Sequence, residues 1–213
     1  MKLSFPVTKE KIRNHFAYAW WQYVLLIALA IFGWNLLYTT TLYRSPNEQR
    51  LEWYYGGYEA EGQKDINALM DELHQSLFPQ LEEVEYRAVM LDDTYGVMQL
   101  TVWASAGEGD LFMLSGEYFQ NLAQSEVFLD LAPYIEDGTL DAEGMDLSDG
   151  YVINQETGRK TLFGIPASQL PGLQEYGLVC ENFCLGVGVT GQNEAEALQL
   201  LQWLMENMRG KAE

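Results

Sequence analysis

From Phe16 to Tyr43 the chain carries no charged residue, and between Phe16 and Tyr38 only Gln22 and Asn35 are strongly polar. A helix of 23 such residues, rising about 1.5 Å per residue, spans a hydrocarbon core of about 30 Å. Trp20, Trp21 and Tyr23 stand near one end and Trp34 and Tyr38 near the other, where amphipathic rings settle at headgroup depth. A cleaved secretory signal has a shorter core of about 7–15 residues and a small-x-small cleavage site. Here the core is long and aromatic, and bulky or β-branched residues, Tyr38-Thr39-Thr40-Thr41, follow it. Residues 16–43 are therefore read as an uncleaved transmembrane helix. Lys2, Lys9, Lys11 and Arg13 precede it, while only Arg44 and Arg50 follow closely. This bias puts segment 1–15 in the cytoplasm and the remainder outside the cell, as a single-pass protein of the cell membrane.

Beyond a short polar stalk at 44–50, residues 51–213 have the length of one domain. Residues 44–213 hold 8 Lys or Arg against 30 Asp or Glu, a net −22 within a whole-chain charge of −19. That surface repels polyanions, which excludes DNA and RNA as partners and disfavours anionic headgroups. Cys180 and Cys184 are the two cysteines, four residues apart in CENFC. Outside the cell they suit a disulfide across a tight turn. Zinc is the competing reading, but two thiols without nearby histidines fall short of four ligands. Free thiols are the third reading, if the orientation is reversed.

The domain alternates strand and helix. Leu51-Glu52-Trp53-Tyr54-Tyr55 is rich in aromatics and ends at Gly56-Gly57, as a strand entering a turn does. Asp65 is placed to cap a helix with Ile66, Leu69, Met70, Leu73 and Leu77 on one face, stopped by Pro79. Val84 to Leu91 reads as a second strand, and Tyr95 to Ala106 as a helix stopped at Gly107. Leu111 to Leu114 is a continuous apolar run, the mark of a strand covered on both faces. Ser115 opens a helix with Tyr118, Phe119, Leu122 and Ala123 inward, limited by Pro133. A hairpin is expected from Tyr151–Asn154 and Thr161–Ile165 around Thr157-Gly158. Two short strands are expected within Leu178–Val189, clipped by the cysteines. Asn193 and Glu196 have the spacing of a reciprocal capping pair before a last helix. This order predicts an α/β fold of three layers, a mostly parallel sheet with helices on both faces.

Catalytic signatures are missing: there is no GxSxG, HExxH, GxxxxGK or dinucleotide fingerprint. His15 at the membrane edge and His74 beside a helix stripe do not assemble a triad. The acidic loop 137–149 fails as a calcium loop, because aligning Gly144 puts Thr139 and Gly150 where acids are required. No enzyme activity, metal or cofactor is expected.

Three pieces together resemble a known family: DLFMLSGEYFQNLAQSEVFLDLAPYIEDG from Asp110, FGIP from Phe163, and LGVGVTGQNEAEALQLLQWLM from Leu185 to Met205. Their order is similar to that of extracellular solute-binding proteins serving ATP-driven (ABC) importers, with the type 2 periplasmic-binding fold. The resemblance implies a membrane helix in place of that family's lipid anchor. It also implies a single lobe, since only about 20 residues separate Pro166 from Gly186, too few for the second half of a clamshell. On such a fold a ligand meets the carboxyl ends of the parallel strands. That selects Tyr55, Gly57 and Tyr58 after the first strand, Asp92 after the second, Ser115 and Glu117 after the third, and Phe163 near the bend. A sugar or a peptide would suit the aromatic rings. The expected function is non-catalytic binding of a small solute, linked to an importer. The alternative is an accessory or structural subunit that binds another membrane protein and no solute.

Overall fold

Leu111, Phe112, Met113 and Leu114 are fully buried, as residues flanked by helices on both sides of a sheet must be. They form β3 (Leu111–Ser115), the middle of a five-stranded sheet. The computed structural model describes residues 8–41, 43, 45–91, 95–155, 157–189 and 192–210. The chain divides into two compact units, Met1–Arg44 and Ser45–Glu213.

In the first unit α1 (Lys9–Thr41) is one continuous helix. Its span Ala17–Thr41, 25 residues with mean hydropathy 1.7, is long and apolar enough to cross a membrane. The hydroxyls of Thr39, Thr40 and Thr41 donate to the carbonyls of Asn35, Leu36 and Leu37 at 2.9, 2.7 and 2.6 Å. Three polar side chains thereby need no water.

In the second unit β1 (Arg50–Gly56) lies parallel to β3, with Trp53 opposite Leu111 and Gly56 opposite Leu114. The next strand out, β2 (Glu83–Ala88), is parallel to β1 from Arg50 opposite Glu83 to Tyr55 opposite Ala88. On the far side β7 (Phe183–Val187) runs antiparallel, with Leu111 opposite Val187 and Ser115 opposite Phe183. The short β6 (Ile165–Pro166) is antiparallel to β7, so four of the five strands point one way. This is the expected mostly parallel α/β sheet. A separate hairpin pairs β4 (Tyr151–Ile153) with β5 (Lys160–Leu162), as its turn residues predict.

Strand alternation sorts side chains between two cores. Leu51, Trp53, Tyr55, Met113, Leu185 and Val187 face α2 (Ile66–Ser76) and α6 (Glu194–Asn207). Tyr54, Phe112, Leu114 and Cys184 face α3 (Gly96–Ser105) and α4 (Gly116–Gln124). Asp65 caps α2, its carboxylate accepting from the Asn67 N–H at 2.9 Å. Helix α4 ends well before Pro133, which instead opens the short α5 (Ala132–Glu136), a position that tolerates its missing N–H.

At the amino edge of the sheet polar groups are buried together. Asp110 Oδ2 accepts from the Glu52 N–H at 2.9 Å, and the Asp110 N–H donates to the Glu52 carbonyl at 3.0 Å. Glu52 Oε1 pairs with Arg50 Nε at 3.2 Å and the Arg87 guanidinium at 3.3 Å, and its Oε2 accepts from the Gly109 N–H at 3.2 Å. Gly109 has φ +87°, and a Cβ there would stand 2.5 Å from the Phe112 ring, so only glycine makes this entry to β3. The Asn193 amide donates to the Asn47 and Arg50 carbonyls at 2.7 and 2.8 Å and approaches Asp110 Oδ1 at 3.5 Å.

Four expectations change here. Asn193 stands at the start of α6 but makes no side-chain cap; its amide is spent across the fold on the chain entering β1. Part of the expected stalk is folded into the domain, Asn47–Gln49 forming a 3-10 turn and Arg50 opening β1. Within Leu178–Val189 only β7 is a strand, and the turn before it puts Asn182 at φ 58°. The disulfide is not formed. Cys180 and Cys184 are both buried as free thiols, one in each core, on opposite sides of the sheet. Cys180 Sγ points to the Leu170 carbonyl at 3.6 Å and Cys184 Sγ to the Asp149 carbonyl at 3.4 Å.

Two outcomes are expected from this packing. Burial pushes the Asp110 carboxyl up to about 6, against the opposing hydrogen bonds from Glu52 and Asn193. The folded state then binds more protons than the unfolded chain between about pH 4 and 6, so stability falls as pH rises through that window. The contribution is on the order of 2–3 kcal/mol. Thermal unfolding of the full chain in detergent should show wild type gaining on Asp110→Asn between pH 7 and pH 5; an equal pH response in both would contradict the buried carboxylate. Burial also pushes the Cys180 thiol up to about 11 and, with Asp149 adding to it, the Cys184 thiol up to about 12. Maleimide should therefore label neither cysteine in the folded chain and both in guanidinium, and a mass two hydrogens lower would reveal the bridge instead.

Candidate functional site

Strands β1 and β3 end, β6 ends and β7 begins along one edge of the sheet, so four segments far apart in sequence meet there. Between them lies a cavity of about 250 Å³. Gly116 and Gln120 line it from the start of α4, Ser148 and Asp149 from the turn before β4, Ser168 from the turn after β6, and Asn182 and Phe183 from the entry to β7. The lining groups are mostly uncharged hydrogen-bonding side chains, with one carboxylate and two aromatic rings, Tyr151 and Phe183.

Each wall is fixed from beneath. The Gly116 N–H donates to the Asn182 carbonyl at 2.6 Å, which joins the first turn of α4 to the β7 turn. Phe183 stacks on Tyr55 with centroids 5.5 Å apart, and Tyr55 stacks on Tyr86 at 6.4 Å. The Tyr55 hydroxyl donates to the Tyr58 carbonyl at 3.2 Å and accepts from the Val179 N–H at 3.1 Å. One buried phenol thus holds two loops at the carboxyl edge. Burial is the main cause that raises its pKa above the usual phenol value, so it stays a neutral donor.

The residues expected from sequence divide into three sets. Tyr55, Gly57, Tyr58, Ser115 and Glu117 do sit at the carboxyl edge. Tyr55 is fully buried and supports the site from below. Gly57 lies against it, where a Cβ would come 2.7 Å from the Tyr55 ring. Tyr58 is 72% exposed, Ser115 is half-buried without a capping bond, and Glu117 is exposed. Asp92 lies outside the described residues. Phe163 is a correction: it precedes β6, so it stands at the amino edge, among Phe128, Asn154 and Arg159 beside a different cavity of about 310 Å³.

Gln120, Ser148, Asp149, Ser168, Asn182 and Phe183 were not anticipated. One signal for two of them was available: a strand antiparallel to its neighbours brings its first residues, here Asn182-Phe183, to the edge where the others end. The Ser148-Asp149 and Ser168 turns reach the same edge only through the hairpin and the bend at Pro166, which no local pattern announces.

The cavity offers binding chemistry. The Cys184 thiol at its floor is protonated, pushed up to about 12, and donates to the Asp149 carbonyl, so it is no nucleophile. His74 is spent elsewhere, its Nε2 2.9 Å from the Leu81 carbonyl. Among the described residues no group of three or more His, Cys, Asp or Glu is gathered to hold a metal ion.

No protein-family model matches the sequence, and no curated protein matches it. Solved structures do. An extracellular solute-binding protein family 1 member from Alicyclobacillus acidocaldarius is 18% identical over 55% of this chain and 27% of that chain, with a TM-score of 0.41. An ABC substrate-binding protein from Listeria monocytogenes, in complex with cycloalternan, is 20% identical over 54% of this chain and 28% of that one, with a TM-score of 0.40. The galacto-N-biose/lacto-N-biose I-binding protein of an ABC transporter from Bifidobacterium longum, in complex with lacto-N-biose, is 18% identical over 55% and 27%, with a TM-score of 0.34. The chain spans 28% or less of the length of each of these three.

Proposed function

We propose that this protein is a single-pass membrane protein whose one-lobed α/β domain, held outside the cell by α1, binds a small neutral polar solute without transforming it. The observation that carries this reading is the cavity at the carboxyl edge, whose hydroxyl and amide groups from Gln120, Ser148, Ser168 and Asn182 converge beside the Phe183 ring. Uncharged donors and acceptors next to an aromatic face suit a polyhydroxylated ligand such as a sugar, or the backbone of a short peptide. Asp149 and the net −22 of residues 44–213 disfavour an anion. A link to an ABC importer belongs to the same proposal and rests on the family resemblance of the sequence. So does the orientation, which rests on the basic residues before α1.

A second reading has its own observation. The cavity is open along the edge where a second lobe would close it, and Tyr58, in the loop after β1 at that edge, is 72% exposed. An accessory subunit that docks another membrane protein on this edge would need no solute.

Isothermal titration calorimetry on the full chain in nanodiscs separates the two. Neutral di- and trisaccharides or short peptides should bind with a Kd of ~0.1–1 mM, as an open site allows. Ser168→Trp, which fills the cavity from an exposed position, should weaken binding at least tenfold and leave the melting temperature unchanged. No heat from any ligand, together with one discrete crosslinked membrane protein, would replace the first reading by the second.

A further inference from the structure

Helix α3 carries no charge, and its exposed side has an apolar centre flanked by Gln99, Thr101 and Ser105. Leu100 and Ala104 face the core, and Trp103 stacks on Tyr54 with centroids 5.1 Å apart. On the opposite side Met98 and Val102, one turn apart, are 66% and 63% exposed, with Tyr95 a further turn along at 76%. Met90, 67% exposed, lies in the segment that leads into the helix, its carbonyl packed against Gly96. From Tyr95 to Gly107 there is no charged residue, in a region that carries 30 acidic side chains between residues 44 and 213. A soluble helix ordinarily turns its polar side outward. An outward stripe of Tyr, Met and Val needs a cover.

We propose that the outer face of α3 rests on the surface of the bilayer in which α1 is anchored. This rests on the membrane reading of α1 given above. Two observations select lipid over other covers. Only residues 42–44 lie between the end of α1 and the first residue of the domain unit, and that tether reaches about 14 Å at full extension. With α1 inserted, Ser45, where the domain unit begins, can lie no further than that from the end of α1. The charge pattern then decides which surface can approach the headgroups: acidic faces are repelled by phosphate, and the charge-free helix is not. Tyrosine at its end and methionine and valine along it are side chains an interfacial helix places among headgroups and upper acyl chains. A second copy fits less well, since four side chains fall far short of the roughly 800 Å² per partner that a stable interface buries.

The test uses the full chain with single cysteines labelled by an environment-sensitive fluorophore, the two native thiols being buried. Probes replace Met98 and, separately, Val102; Glu72 on exposed α2 is the control on the opposite side of the sheet, and Leu29 reports on the anchor. In phosphatidylcholine nanodiscs with doxyl-labelled acyl chains, the Met98→Cys and Val102→Cys probes should emit further to the blue than Glu72→Cys. They should be quenched several-fold more strongly. The effect should weaken when phosphatidylglycerol is added, because the acidic domain is then pushed away. Water-like, unquenched emission at both Met98 and Val102, with Leu29→Cys quenched, would overturn the proposal and leave the anchor standing. An unquenched Leu29→Cys would overturn the anchor and this proposal with it. A blue shift that follows the number of chains per disc rather than the quencher lipid would mean that a second copy covers the face.

Discussion

The buried carboxylates at the amino edge are the constraint on which the rest of the domain turns. Asp110 and Glu52 exchange backbone and side-chain hydrogen bonds across β1 and β3, and this sets the register of the two central strands before any apolar contact is counted. Two buried anions so close are tolerable only because Arg50, Arg87, the Gly109 N–H and the Asn193 amide supply compensating charge and donors. The Asn193 amide extends the same cluster to the Asn47 and Arg50 carbonyls, so the last helix and the first strand are locked at one point. Removing any single partner leaves a charge or an amide without its complement, which costs more than the pair contributes.

The two edges of the sheet consequently differ in kind. The amino edge is dense with buried polar groups, held by hydrogen bonds at Asp110 and Asn193 and by the ion pairs of Arg50 and Arg87 with Glu52. At the carboxyl edge hydroxyls and amides face an open cavity, and rigidity comes from aromatic stacking under it. Tyr55 connects the two regimes: its backbone sits in the strand that Glu52 anchors, while its hydroxyl pins the Tyr58 and Val179 segments beside the cavity. A site built from loops is only as well placed as the groups beneath it. Here those groups belong to the central strand pair and not to the loops.

What was legible in the sequence follows from range. The apolar run Leu111–Leu114, the aromatic run ending at Gly56 and the Asp65 cap are local patterns with one physical outcome each, and the sheet and helices appear where those patterns put them. Asn193 shows where locality stops. Its spacing to Glu196 suits a cap, but its amide gains more by donating to two carbonyls some 145 residues away, and sequence proximity carries no trace of them. The cysteines mislead for a similar reason. Four residues apart they look clipped, yet the left-handed turn at Asn182 sends the chain into β7 with Cys184 toward one core while Cys180 is left in the other. A bend after Phe163 suggests the end of a strand and hence the carboxyl edge, but the bend opens β6 and so puts Phe163 at the other edge.

If the cavity at the carboxyl edge binds as proposed, its openness sets what that binding is worth. Closing a ligand between two lobes removes its water and strengthens every hydrogen bond made to it. At an open cavity each hydrogen bond replaces one to solvent, and its net gain falls to about 1 kcal/mol. Four or five such bonds and one aromatic face reach the millimolar to submillimolar range and go little further. Affinity of that order is useful when a ligand or partner is held near by other means. On the proposed reading, in which α1 crosses the membrane, the domain meets that condition, because confinement raises the effective concentration of anything else in the same membrane without a new contact. The open edge and the charge-free α3 face are then accounted for by the same proposal: each suits a domain confined beside its partners, and neither helps a freely diffusing scavenger.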